Sequence, residues 1–402
     1  MSTACPVCGS PDLVDIIDLG DVPLFCNVQW PSRAQALMVA SAPMQLVGCP
    51  SCGHHFNAAF EPDRLQYAPA YDTSQHFSAT FRAYAESLAA RLINAYGVNG
   101  KAVVDVGCGK GDLLKLICRL GGNRGFGFDV SYEEDANPSD APGVTFRNTF
   151  FDAAQSADIA PALVCCRHVL EHVADPVSFL RGLGQALGGH TDRVLYVEVP
   201  NGAMQLSAGL LWDYIYEHYS YFSAESLRHA LVAAGFEILR LEPSFGDQFL
   251  CADVRLRASD TQDRPGHRAD LARKQMRQAA ARFTQILEHW RRWAAALPQH
   301  EESTVLWGAG SKGVTFVNLL GLTAPVPIER MIDQNPNKHG RFVARTGQII
   351  APPDSLIGRP VKTVLLMNDI YRNEVSRWLD EHAVQTSVIS AMSQFTEAET
   401  SA

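Results

Sequence analysis

The chain has 402 residues, which at roughly 150 residues per domain suggests two or three domains. Hydrophobic residues make up 47% of it and charged residues 19%, a balance that excludes a globally disordered chain. The formal net charge of −9 argues against nucleic acid as the main partner, because phosphate binding needs a basic face.

The N-terminus, Met1-Ser2-Thr3-Ala4-Cys5, has neither a basic n-region nor an apolar core. No run approaches the ~18 apolar residues that a bilayer span needs. A soluble, cytoplasmic protein is the expectation; oligomeric state has no signal in the sequence. Five of the ten cysteines fall in the first 52 residues, and four of those form spaced pairs, a pattern that favours metal over disulfides.

The pairs are Cys5-Pro6-Val7-Cys8 and Cys49-Pro50-Ser51-Cys52. Each Cys-x2-Cys turn points two sulfurs inward. Four thiolates close a tetrahedron around Zn²⁺ and leave no open position for chemistry, so a structural zinc is expected on Cys5, Cys8, Cys49 and Cys52. The competing reading is four ordinary buried thiols. His54 and His55 are spare nitrogen ligands, and Cys26 reads as a plain buried thiol. Between the pairs, Leu19-Gly20-Asp21-Val22-Pro23-Leu24 reads as turn-rich. The segment is expected to be a small loop-rich module too thin for a core of its own.

Phe77, Phe81, Tyr84, Leu88 and Leu92 recur at helical spacing and predict a helix over 75–97. The β-branched run Lys101–Val106 then ends in Gly107-Cys108-Gly109-Lys110-Gly111, and a helix starts at Asp112. Strand-like runs follow at 125–130, 162–166 and 194–199, with a clear helix over 176–187. Alternating strands and helices imply a parallel sheet covered on both faces.

The first glycine loop fits two ligands. A dinucleotide fingerprint is Gly-x-Gly-x-x-Gly with pyrophosphate on the helix N-terminus. Here the spacing is Gly-x-Gly-x-Gly, and Asp105 stands two residues before the first glycine. A carboxylate there repels pyrophosphate but suits the ammonium and sulfonium of S-adenosylmethionine. Asp129 ends the next strand, where a carboxylate would hold ribose hydroxyls.

Residues 262–297 are charged and Ala-rich and read as one long connecting helix. A βα pattern restarts with strands at 304–307, 328–333 and 363–367. Gly308-Ala309-Gly310-Ser311-Lys312-Gly313 matches the dinucleotide spacing, with Asp333 at the next strand end. Three readings stand for this loop: NAD, the anionic part of an acceptor held by backbone N–H groups and Lys312, or a packed relic. The second of these is preferred.

Asp105-Val106-Gly107-Cys108-Gly109-Lys110-Gly111 and His168-Val169-Leu170-Glu171-His172-Val173 together resemble two motifs of the class I S-adenosylmethionine-dependent methyltransferases. That resemblance implies cofactor contacts from Asp105, Gly107, Cys108, Gly109, Gly111, Asp129 and His168. The order of zinc module, core and second glycine unit is similar to a narrower family, the deoxysugar C-methyltransferases acting on nucleotide-linked keto-sugars. Asp18-Leu19-Gly20-Asp21-Val22-Pro23-Leu24, Glu217-His218-Tyr219-Ser220-Tyr221-Phe222-Ser223 and Asp333-Gln334-Asn335-Pro336-Asn337-Lys338-His339-Gly340 carry it. Three stretches depart from that family, at Tyr216-Glu217-His218, Tyr71-Asp72-Thr73-Ser74-Gln75-His76 and Phe245-Gly246-Asp247-Gln248-Phe249. All three concern the acceptor side.

The implied architecture is α/β: an N-terminal zinc-binding module (1–70), a Rossmann-like methyltransferase core (71–260), a connecting helix (261–300) and a smaller C-terminal Rossmann-like unit (301–402) that contacts acceptor or phosphate. The implied reaction is methyl transfer to a small molecule, with C-methylation beside a ketone preferred. Such a reaction needs a base and a donor to the enolate oxygen. His218 is the candidate base. Glu217 is either the base or its orienter, His172 is a second candidate acid or base, and Tyr216 and Tyr221 are candidate donors. Gly310, Lys312 and Tyr71 are candidate acceptor contacts. The aromatic run from Tyr214 to Phe222 also reads as a plain core cap. An O- or N-methyltransferase on another metabolite, and a non-catalytic zinc- and nucleotide-binding scaffold, remain as alternatives.

Overall fold

The computed structural model describes residues 3–65, 74–132, 142–258, 269–297, 304–321, 328 and 330–392. Tyr71, with Asp72 and Thr73, lies outside the described residues.

The N-terminal segment holds β1 (Val14–Pro23), α1 (Arg33–Leu37), β2 (Ser41–Cys49) and β3 (His54–Asn57). The stretch read as turn-rich is in fact the end of β1. Gly20 at φ +70° and a register shift between Asp18 and Asp21 mark a bulge, whose Gly-Asp chemistry imitates a turn.

The central unit runs α2 (Ala79–Tyr96), β4 (Ala102–Val106), α3 (Asp112–Gly121), β5 (Arg124–Phe128), β6 (Val144–Arg147), α4 (Ala153–Ile159), β7 (Leu163–Arg167), α5 (Pro176–Ala186), β8 (Val194–Pro200), α6 (Gly202–Ala208), β9 (Ser220–Tyr221), α7 (Ala224–Ala233), β10 (Phe236–Ser244) and β11 (Phe249–Leu256). The helix expected at 75–97 starts at Ala79, because the Ser78 side chain accepts the N–H of Phe81, and ends at Gly97 in the left-handed region. The seven strands order as β10-β11-β8-β7-β4-β5-β6, parallel from β8 to β6. Every residue of β4 is buried, as a strand covered on both faces requires. The chain leaves β4 toward β5 on one side and β7 on the other, so a crevice opens at the ends of these strands.

The remaining elements are α8 (Ala269–Ala296), β12 (Thr304–Trp307), α9 (Ser311–Gly321), β13 (Arg330–Ile332), β14 (Ile349–Ala351), β15 (Thr363–Leu366), α10 (Arg372–Glu381) and β16 (Ser387–Ser390). Their five strands are all parallel, in the order β14-β13-β12-β15-β16, with a second reversal of direction between β12 and β15.

Two features tie these parts together. β9 pairs with β3 through His55–Tyr221 and Phe56–Ser220, so the N-terminal sheet gains its fourth strand from the central unit. The helix α8, expected as a connector, is a core element: Met276, Phe283, Ile286 and Trp290 are buried in the same apolar cluster as Leu46, Trp212 and Phe316. A Cβ on Gly48 would stand 2.7 Å from the Met276 sulfur, so the methionine side chain packs directly on the bare backbone of β2. At the far edge, Glu374 of α10 accepts from the Ser78 hydroxyl at 2.7 Å and from the Thr80 N–H at 3.1 Å, holding the C-terminal unit against the start of α2.

Among the described residues, no helix is long and apolar enough to cross a membrane.

Candidate active site

A cavity of about 800 Å³ lies where the two strand reversals face each other. Asp105, Gly107, Cys108, Gly109, Asp129 and His168 line it from the central sheet. Gly308, Gly310, Lys312 and Asp333 line it from the C-terminal sheet, and His172 and His218 stand between. Gly111 is not part of the lining; it is the residue before α3, at φ +73°, packed against Phe146.

The two glycine loops are built alike. Gly107 donates to the Phe128 carbonyl at 2.7 Å, and Gly109 donates to the Asp129 carboxylate at 2.8 Å. Likewise Gly308 donates to the Ile332 carbonyl at 2.7 Å, and Ala309 donates to the Asp333 carboxylate at 2.9 Å. Each loop is thus pinned by an aspartate from the next strand end. A Cβ on Gly107 would strike Val169 at 2.2 Å, and one on Gly313 would strike the Gly308 carbonyl at 2.0 Å; these glycines serve packing. A Cβ on Gly109 or Gly310 would meet nothing within 4 Å, so at these two positions the backbone borders open space.

Asp105 is buried, and burial pushes its carboxyl up to about 7. A cationic ligand is what such a group lacks. The open backbone at Gly109 and the carboxylates of Asp105 and Asp129 therefore fit S-adenosylmethionine: close approach to backbone, a negative partner for its ammonium, and an acceptor at the strand end for ribose hydroxyls.

His168 follows β7 at φ +54°, a conformation that L-residues other than glycine rarely adopt. Its ring lies 3.0 Å from Glu198 and 3.4 Å from Glu171. Burial alone would lower its pKa, but these two carboxylates outweigh it and raise the imidazole to about 9. Strain of this kind collects at functional sites. Glu198, from the middle of the buried strand β8, also takes two bonds from Arg167 at 2.9 and 2.6 Å and bonds from the Tyr84 and Tyr196 hydroxyls. Desolvation opposes its charge; Arg167 and His168 hold its carboxyl well below the usual range. Sequence reasoning missed this hub, because one acid in a strand resembles a solvent-facing residue.

His172 and His218 meet edge to face with ring centroids 4.7 Å apart. The Nδ1–H of His172 donates to the main-chain carbonyl of Glu217 at 2.8 Å. Burial holds both imidazoles below their ordinary pKa, His218 far below, so both are neutral near pH 7 and carry a basic lone pair.

The other expected acid–base residues stand elsewhere. The buried Glu217 is not among the lining groups; its carboxylate accepts the Cys26 main-chain N–H at 3.1 Å. Tyr216 and Tyr221 do not line the cavity either. The Tyr216 hydroxyl accepts the Glu61 N–H at 2.9 Å, and the Tyr221 hydroxyl bridges the N–H and C=O of Ile215, each at 3.0 Å. These hydroxyls fasten backbone, as the core-cap reading implies. Lys312 reaches the cavity, but its ammonium is held by both carboxylate oxygens of Asp213.

In the N-terminal segment, the sulfurs of Cys5, Cys8, Cys49 and Cys52 all lie within 4.8 Å of one another, with Cys5–Cys52 at 3.6 Å and Cys8–Cys49 at 3.5 Å. Zn–S bonds of about 2.3 Å set tetrahedral sulfur–sulfur edges near about 3.8 Å, so the donor set and its spacing fit zinc. His54 and His55 are outside this cluster; burial lowers them to about 3 and about 4, and His54 Nε2 faces the Ser220 hydroxyl at 3.2 Å.

Residues 78–241 match a family model described as a methyltransferase domain, and residues 267–389 match one described as the C-methyltransferase C-terminal domain. The chain is 27% identical over 242 residues to the C-methyltransferase NovU of Streptomyces niveus, an alignment covering 58% of this chain and 56% of that relative. It is 34% identical over 107 residues to the ubiquinone biosynthesis O-methyltransferase of Aliivibrio fischeri, over 25% of this chain and 45% of that one. The chain thus spans about half the length of the curated relatives it matches. Similar solved structures include the plantazolicin methyltransferase BpumL in complex with SAH, at a TM-score of 0.35 and 13% identity over 46% of this chain and 86% of that one. A SAM-dependent methyltransferase from Aquifex aeolicus is similar at a TM-score of 0.32 and 14% identity, over 42% and 89%.

Proposed function

As a member of the class I S-adenosylmethionine-dependent methyltransferases that resembles the C-methyltransferases, this chain, we propose, methylates the carbon beside a ketone in a small acceptor, with a nucleotide-linked keto-sugar as the preferred acceptor class. The observation that carries the reading is that the neutral His218 and the buried Asp105 line one cavity.

The cofactor, when bound, supplies an electrophilic methyl group on a sulfonium. Asp105 faces its ammonium, the open backbone at Gly109 lets it approach, and Asp129 takes its ribose hydroxyls. The remaining work is alignment and proton removal. His218 takes the carbon proton with its lone pair. His172 sits edge-on to it and is kept in one tautomer by the Glu217 carbonyl. The His168 imidazolium lines the same cavity, with its two ring nitrogens held by Glu171 and Glu198. Tyr216 and Tyr221 are not the donors in this scheme.

The second glycine loop suits the anionic end of the acceptor. Gly310 opens its backbone to the cavity, and Lys312 neighbours it. A diphosphate would draw Lys312 from Asp213, so binding exchanges one carboxylate partner for a more highly charged one. Zn²⁺ on the four cysteines would cross-link the N-terminal segment beside β3, and β3 holds β9, which follows His218 by two residues. Its role is structural.

Methyl incorporation from labelled S-adenosylmethionine into nucleotide-linked keto-sugars tests the reading. Label on carbon, with deuterium exchange of the same position in D2O, is the expected result. Transfer only to oxygen or nitrogen would favour the alternative methyltransferase class instead.

A further inference from the structure

We infer that Glu171, His172 and His218 form a second metal site, distinct from the four cysteines, that takes one first-row divalent cation of the Zn²⁺, Co²⁺ or Ni²⁺ type. One ligand atom from each of the three lies within 4.8 Å of the others. Two imidazoles and one carboxylate are a donor set that such cations favour.

Three local features make this more than proximity. The Nδ1–H of His172 is committed to the Glu217 carbonyl at 2.8 Å, which leaves the lone pair on Nε2; a metal-bound histidine is oriented in this way by its other nitrogen. His218 Nδ1 is buried and has no hydrogen-bond partner. Both carboxylate oxygens of Glu171 are likewise buried without a hydrogen bond, though one pairs with the charge of His168, whose Nδ1 lies 3.4 Å away. A buried imidazole nitrogen without a partner and a buried carboxylate short of hydrogen bonds are costly, and a cation satisfies both at once.

All three residues line the cavity. Three protein ligands would leave a coordination position for a small molecule's oxygen. The lone pair of His218 cannot bind a cation and abstract a proton together. The loaded protein is therefore blocked as a base. That consequence rests on the proposed methyl transfer; cation binding itself does not.

The test is titration of the purified 402-residue chain, with its cysteine-bound metal in place, by Co²⁺ in a calorimeter and an absorption spectrometer. One further equivalent is expected beyond the metal already present, with no sulfur-to-cobalt charge-transfer band. Glu171→Gln and His218→Ala should each weaken it by at least about 10-fold, the lower end of the loss seen when outer-shell partners of a metal site are removed. No further equivalent in the wild-type chain would overturn the inference. So would an equivalent that both variants keep unchanged, or one that brings a thiolate band.

Discussion

His172 donates its Nδ1–H to the main-chain carbonyl of Glu217 over 2.8 Å, a bond spanning 45 positions of sequence. It ties the turn after β7 to the segment that presents His218. The side chain of the same Glu217 reaches the other way, to the Cys26 main-chain N–H. One residue therefore anchors the segment that carries His218 to the central sheet through its backbone and to the N-terminal module through its carboxylate.

Replacing His218 by Gln should lower kcat by about 10²- to 10⁴-fold, the usual contribution of a general base. Cofactor affinity should change little, because Asp105 and the glycine loop hold the donor. Initial rates with a keto-sugar acceptor and calorimetry with the cofactor check the two halves. Full turnover in His218→Gln would remove the proposed base.

Glu217→Gln and Glu217→Ala should differ. Glutamine keeps an oxygen for the Cys26 N–H, so stability and turnover should stay near wild type. Alanine leaves that buried N–H without its acceptor and should cost about 1–3 kcal/mol of unfolding free energy by denaturant titration. A Glu217→Gln variant as inactive as His218→Gln would make the carboxylate the base.

Cofactor affinity should depend on pH through Asp105. Its carboxyl titrates at about 7, raised by burial, and only the anion attracts the ammonium. Below that point each unit of pH should weaken binding by up to about tenfold, and above it affinity should level off. Asp105→Asn should bind weakly with a flat profile between pH 6 and 8. Calorimetry across that range reads both.

Gly310→Val separates ligand contact from packing at the second loop. A Cβ there meets no protein atom within 4 Å, and Gly310 is not in the left-handed region, so the first side-chain carbon is accommodated, and an unchanged melting temperature is the control that the γ-methyls are too. If the acceptor's anionic end lies against this loop, its KM should rise by about tenfold, equivalent to ~1.4 kcal/mol, with cofactor affinity constant. An unchanged KM would return the loop to a packing role.

Elemental analysis should find about one equivalent of zinc on the native chain, lost together with thermal stability in Cys49→Ser. A folded, metal-free native chain would contradict the structural zinc.

What the sequence made legible was what local chemistry dictates. Gly109 and Gly310 border open space and the Cys-x2-Cys turns converge their sulfurs, both consequences of short-range geometry. The start of α5 at Pro176 was legible, whereas α2 starts at Ala79 and not at 75, behind a Ser78 cap that the apolar spacing did not show. What stayed hidden depends on partners far along the chain. The Cys26–Glu217 bond joins residues 191 positions apart, and the Lys312–Asp213 pair joins residues 99 apart. Tyr216 and Tyr221 have the right chemistry for enolate donors, yet their hydroxyls are spent on Glu61 and Ile215. The module with the cysteines looked too thin for a core because α8, two hundred residues later, supplies the other half of it.

Isothermal calorimetry of the 402-residue chain with S-adenosylmethionine and its demethylated product is the most direct test of the claim that the first glycine loop is a sulfonium-cofactor site. One equivalent of each should bind, and Asp105→Asn should weaken the methylated form more than a Gly310→Val control. An absence of binding by either compound at millimolar concentration would contradict the account.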